Sequence, residues 1–282
     1  MIYKIFKYII MVSIYWINLM YRDDRRKHMY YELESLYNIR ITPDTNISPE
    51  LSCCKSHYDA ILTAWYDNVD YAIIVEDDIF NFKEMINLNF FKSLFKLDNW
   101  EIIQLHYISP EFLNALQKLH CGHSLVKGYL MSTACYLINK KGIYNFLYKM
   151  SNDNFKNWLK FTKNNPDILK LDKSEQKKHP LWSKPSIGVT FLGNARAEEF
   201  VFRYVNTYFS LYPLINTIEK NTSDIQVSND LIYNNMLLIN NIFKTIDIKS
   251  LPIENKRLEL PYDSHWFKTI DEAYEQLVAN FK

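Results

Sequence analysis

Residues 71–82 read YAIIVEDDIFNF. An unbroken apolar and β-branched run from Tyr71 to Val75 ends on three consecutive carboxylates, Glu76, Asp77 and Asp78. A short apolar run without polar alternation marks a strand covered on both faces, as the parallel sheets of α/β proteins require. Open parallel sheets bind ligands beyond the carboxyl ends of their strands, and the acidic triplet sits at such an end. Three adjacent anions repel one another, and the stretch before them offers no neutralising partner, so a positive charge is missing from the sequence. A hard divalent cation, Mn²⁺ or Mg²⁺, fits: it takes one or two protein carboxylates and fills its remaining positions with phosphate oxygens and water. Alternation of side chains places Glu76 and Asp78 on one side of an extended chain and Asp77 on the other. Asp78 is the first choice as direct metal ligand, with Glu76 as the second. An acidic strand end facing solvent, or capping the next helix, is written in the same letters.

Outward from this strand, apolar runs alternate with helical patterns. SIYWINL (13–19) reads as a strand and leads into a charged segment in which Met29, Leu33 and Leu36 recur at helical spacing. IRITPDTNISPE (39–50), with two prolines among polar residues, reads as a loop, and Ser52 is placed to cap a helix through CCKSHYDAILTAWYD (53–67). A helix or broken helix is expected over 82–97, strands over 100–108 and 129–139, and a helix from Lys140. Residues 151–186 are lysine-rich and broken by prolines, a long excursion or a mobile loop suited to a lid. Strand character returns at 186–194, helix and then strand follow over 195–215, and helices are expected at 229–243 and 269–281. The pattern is that of an α/β sandwich around a mostly parallel sheet, with a main domain over 1–220 and a helical C-terminal extension over 221–282 packed on it.

The chain has 282 residues, 48% of them hydrophobic, enough for a sizeable core. Lys and Arg total 33 against 32 Asp and Glu, so no global field draws nucleic acid or an anionic membrane. Four cysteines without CxxC spacing point to a reducing compartment, hence the cytoplasm. The apolar start is interrupted by Lys4 and Lys7 and lacks a small-residue cleavage site. It falls short of a span of ~20 residues. It reads as buried strand, with a signal anchor as the alternative.

In their order along the chain, INLMYRDDRR (17–26), SCCKSHYDAILTAW (52–65), YAIIVEDD (71–78), WEIIQL (100–105), STACYLINKKG (132–142) and AEEFVFRYVNTYFSLYPL (197–214) resemble glycosyltransferase family 25. That family comprises the lipopolysaccharide-type and procollagen galactosyltransferases. The resemblance spans about Ile14 to Leu214, and the residue bias is similar to that of members found in large DNA viruses, which implies host cytoplasm or a viral factory. It implies a GT-A-like nucleotide-binding fold, a UDP-sugar donor, Mn²⁺, and transfer of galactose or glucose with inversion to a hydroxyl on a glycan or protein. Three positions depart from the family pattern: Tyr21 stands where a basic residue is common, Ser52 replaces a glycine, and His106 stands where a glycine often follows the strand. These bear on donor choice more than on fold.

Under that resemblance each residue type has a role. One of Arg22, Arg25 and Arg26 would pair with phosphate or uracil oxygens, since Asp23 and Asp24 are interleaved among them. Asn18 would bind the base or close the strand end, Ser56 and His57 would flank the donor, and Glu76 and Asp77 would contact it. Thr133 would touch the sugar, whereas Tyr136 and Cys53 read as packing. Glu198, or its neighbour Glu199, would take the acceptor's proton or serve as a further metal ligand. The alternative is a catalytically inactive relative that binds a glycan or a protein. A phospho-receiver pocket is disfavoured, because a full strand and helix precede the acidic triplet and EIIQLH ends without an aspartate. Neither the acceptor nor the oligomeric state is written in the sequence.

Overall fold

The computed structural model describes residues 2–5, 8–34, 36–47, 49–86, 89–118, 123–151, 197–203, 205–217, 229–246 and 253–259, together with 275, 278 and 279. The fold is α/β, with a mixed sheet covered by helices on both faces. Its strands are β1 (Ile2–Ile5), β2 (Tyr8–Ile17), β3 (Asn38–Ile41), β4 (Tyr71–Glu76), β6 (Ile102–Gln104), β7 (His123–Lys127), β8 (Cys135–Asn139), β9 (Thr207–Ser210) and β11 (Ile253–Glu259). The spatial order is β2-β4-β8-β6-β9-β7-β11, with β1 and β3 both along the outer side of β2. β2, β3, β4, β6 and β9 share one direction, and β8 runs against both of its neighbours, β4 and β6. The expected parallel arrangement therefore holds for β2, β3, β4, β6 and β9 and is broken by β8, beside β4, and by β7 and β11, which run against β9.

The buried run of β4 feeds two cores, as its uninterrupted apolar character requires. Ile73 and Val75 pack with Val12, Ile14 and Trp16 on one face, and Ala72 and Ile74 pack with Tyr15 and Ile17 on the other. The first face is covered by α1 (Asp23–Glu32), α3 (Phe82–Met85), α4 (Asn89–Leu94), α5 (Pro110–Lys118) and α8 (Asn229–Thr245). The second carries α2 (Pro49–Tyr66), α6 (Lys140–Ser151) and α7 (Ala197–Phe202). Asn139, the last residue of β8, accepts a 2.8 Å hydrogen bond from the Gly142 amide and so caps α6.

Two local expectations are corrected. Residues 39–41, read as the start of a loop, belong to β3, a short strand paired in parallel with β2. α2 begins at Pro49, where the missing amide proton costs nothing, so Ser52 lies inside its first turn rather than capping it. The tail is more than helical. β11 pairs with β7, and Asn235 of α8 accepts from the Ser109 amide and donates to the Tyr107 carbonyl. The stretches read as an excursion at 151–186 and a strand at 186–194 lie, beyond Ser151, outside the described residues. Among the described residues no helix is long and apolar enough to cross a membrane.

Candidate functional site

β2 and β4 lie side by side in parallel with Ile17 opposite Glu76, so the residues that follow, Asn18 and Asp77, emerge as neighbours. The Asn18 side chain donates to Asp77 Oδ2 at 2.6 Å. β3 ends at the same level, with Ile41 opposite Ile17, which brings the loop through Pro43, Asp44 and Thr45 to the same end of the sheet. β8 runs the other way, so its start lies where β4 finishes: the Glu76 amide donates to the Ala134 carbonyl, and Thr133 Oγ1 donates to Glu76 Oε1 at 2.7 Å. A cleft of about 330 Å³ opens here, lined by Arg25, Cys53, Glu76, Asp77 and Asp78 and by apolar side chains including Ile17, Leu19 and Ile47. The acidic triplet is thus at the carboxyl end of a parallel strand and inside a cleft, the position at which open α/β sheets bind ligands. Pairing of Ile79–Phe80 (β5) with Asn216–Thr217 (β10) holds the far end of the acidic turn.

The three carboxylates part company, because β4 stops at Glu76 and the next two residues form a turn rather than continuing the alternation of a strand. Asp77 turns to α1, where Arg25 donates to its Oδ1 at 2.8 Å. Burial pushes its carboxyl up, against Arg25 and the Asn18 hydrogen bond. Glu76 turns to α2. Burial works to raise its pKa too, but the His57 ring and the Thr133 hydroxyl outweigh it and leave the group below its ordinary value. Asp78 lies between them, with Oδ2 3.8 Å from Arg25 and Oδ1 buried with no hydrogen-bond partner. Burial first, then the charge of Glu76, pushes Asp78 up to about 7. The turn holds more negative charge than Arg25 balances.

Of the three arginines, Arg25 alone enters the cleft. Arg22 forms a two-pronged contact with Asp24 at 3.1 and 3.0 Å, and Arg26 pairs with Asp23 on the exposed face of α1. Ser56 is buried and spends its hydroxyl on the Ser52 carbonyl, 2.8 Å away, so it does not reach the cleft. His57 is fully buried, its Nδ1 3.1 Å from the Tyr136 hydroxyl and its Nε2 3.4 Å from Glu76 Oε1. Tyr136 keeps the packing role, edge-on to Phe202 of α7. Glu198, half-buried on α7, lies close enough for its charge to act on the Cys53 thiol. The side chain of Glu199 is outside the described residues.

Cys53 is the residue that reading the sequence for packing missed. Its thiol lies with His57 and Glu76, one ligand atom from each within 4.8 Å of the others. The available signal was its four-residue spacing from His57, which puts both on one face of a helix. Burial and then Glu76 push the Cys53 thiol well above its ordinary range. His106, at the end of β6, is also buried, with Nδ1 2.9 Å from Ser132 Oγ. Ser132 itself adopts φ 105°, a conformation side-chain-bearing residues rarely take, and its hydroxyl also accepts from the Ala134 amide at 3.1 Å.

No protein-family model matches the chain, and no curated protein matches it at a significant level.

Proposed function

We propose that the protein is a metal-dependent glycosyltransferase that moves a hexose, galactose or glucose, from a UDP-sugar to an acceptor hydroxyl with inversion. One observation carries the reading: Asp78 offers a buried carboxylate oxygen without a partner, in a cleft at the carboxyl end of β4 where Arg25 is outnumbered by acids. An oxygen-rich, electron-hard donor set short of positive charge fits Mn²⁺ or Mg²⁺. Asp78 would hold the ion with Glu76 beside it, and the ion would supply positive charge to the departing diphosphate.

The chain's own residues do the rest. Arg25, fixed by Asp77, extends positive charge towards the side of the cleft where phosphate oxygens would lie. The apolar wall of Ile17, Leu19 and Ile47, with Tyr21, would pack against a flat base and exclude water. Asn18 donates its side-chain N–H to Asp77 and sets the position of that acid, and its buried Oδ1, which has no partner, would be the atom that meets the base. Glu198 would take the proton of the attacking hydroxyl, a step that needs a carboxylate within reach as the bond to the anomeric carbon forms.

The test is a screen of nucleotide sugars with added Mn²⁺, scored by released UDP. Turnover with UDP-galactose or UDP-glucose that disappears in Asp78→Asn is the expected result. No binding of UDP and Mn²⁺ at millimolar ligand would reject the transferase reading and favour a catalytically inactive relative that binds a glycan or a protein.

A further inference from the structure

Cys53 and His57 stand four residues apart on α2 and share the helix face turned to the end of β4. His57 is 0% exposed, yet its Nε2 has no hydrogen-bond partner. An unsatisfied buried ring nitrogen is costly, and a native fold retains one where something else completes it. This nitrogen stops 3.4 Å from Glu76 Oε1, with the Cys53 thiol in the same 4.8 Å group.

We propose that Cys53, His57 and Glu76 form a zinc-binding site. Thiolate sulfur, imidazole nitrogen and carboxylate oxygen together are a donor set for a borderline-soft ion, unlike a set of carboxylate oxygens alone. Zinc bonds of ~2.0–2.1 Å to nitrogen and oxygen give a tetrahedral edge of about 3.3 Å. The observed N···O separation of 3.4 Å is therefore close to the edge such an ion requires. The Tyr136 oxygen lies where it accepts a proton from Nδ1, which leaves Nε2 to the metal, and Thr133 donates to Glu76 Oε1, the same oxygen that faces His57, and fixes its position. Both are the outer partners that orient zinc ligands. Binding replaces the thiol proton, released to solvent, with a sulfur–zinc bond.

Cys53 and Glu76 also line the cleft. Three protein ligands with a fourth position open to a cleft describe an exchangeable or reactive zinc site rather than a closed structural one. The site has its own donors apart from Glu76 and does not depend on the transferase reading. Where both hold, zinc competes with the harder ion for Glu76.

Titrating the metal-free full-length chain with Co²⁺ tests the proposal without reference to activity. One equivalent is expected to raise a thiolate-to-cobalt absorption band in the near ultraviolet with the visible bands of a tetrahedral ion, all abolished by Zn²⁺. Cys53→Ser should lose the ultraviolet band, and His57→Gln should weaken binding at least tenfold. A wild-type titration without that band, or a band that survives in Cys53→Ser, overturns the site. Should either variant fail to fold, alkylation of wild-type Cys53, followed by peptide mass spectrometry, decides: saturating Zn²⁺ is expected to protect it, and equal labelling with and without Zn²⁺ overturns the proposal.

Discussion

Arg25 and Asp77 form a buried ion pair, 2.8 Å long and with each side chain 7% exposed, that ties α1 to the turn after β4. Such a pair contributes little over an apolar pair of the same volume, but breaking it from one side leaves an uncompensated charge in the interior.

Arg25→Met is therefore expected to cost about 3–5 kcal/mol of stability, read by urea unfolding at pH 7. Adding Asp77→Asn should recover part of that loss. A single variant as stable as wild type would mean the turn is wetter than the packing around Asp77 requires.

Asp78 gives a prediction of opposite sign. Its folded pKa of about 7 lies above the ordinary carboxyl value near 3.9, so the native chain holds a proton that the unfolded chain gives up. The stabilising contribution is complete below about pH 4 and is lost as pH rises through 7. In metal-free protein, Asp78→Asn should be more stable than wild type at pH 8 by on the order of 2–4 kcal/mol, and the gap should close by pH 4. Mn²⁺ should raise the melting temperature of wild type and leave the variant unmoved.

His106 works in the other direction. Burial lowers its pKa to about 4, with the charge of Glu76 opposing. The unfolded chain takes up a proton below about 6.5 that the native chain refuses, so stability is lost as pH falls from about 6.5 to 4. His106→Asn should flatten that limb of the stability profile by up to about 3 kcal/mol, measured by denaturation at pH 4.5 and 7.

Gly142 sits against the backbone of the segment leading into β6: a Cβ there would stand 2.5 Å from the Glu101 carbonyl oxygen. Gly142→Ala is expected to destabilise by about 1–3 kcal/mol in thermal unfolding, because the obstacle is main chain and does not rotate away.

How far the sequence could be read follows from what each signal encodes. The run from Tyr71 to Val75 announced a strand buried on both faces because burial is written in hydrophobicity, and the structure has it so. Direction is not written there. β8 was legible as a strand but not as an antiparallel one, and its direction is what brings Thr133 to Glu76. β3 was hidden because four residues before a proline carry too little periodicity to stand out from a loop. Among the arginines, local pairing decided: Asp24 and Asp23 occupy Arg22 and Arg26, and Arg25 is the one directed at Asp77. Cys53 escaped because its two partners arrive from different distances along the chain, one four residues away and one twenty-three.

The pairing of β11 with β7 sets an order on the life of the chain. β7 is made more than a hundred residues before its parallel neighbour, residues 253–259. Until then its outer backbone amides and carbonyls have no strand to meet on that side and are open to those of another nascent molecule. A product truncated before Ile253 would keep the acidic cleft and β2-β4-β8 intact while baring β7, and it should be recovered as aggregate rather than as an inactive monomer.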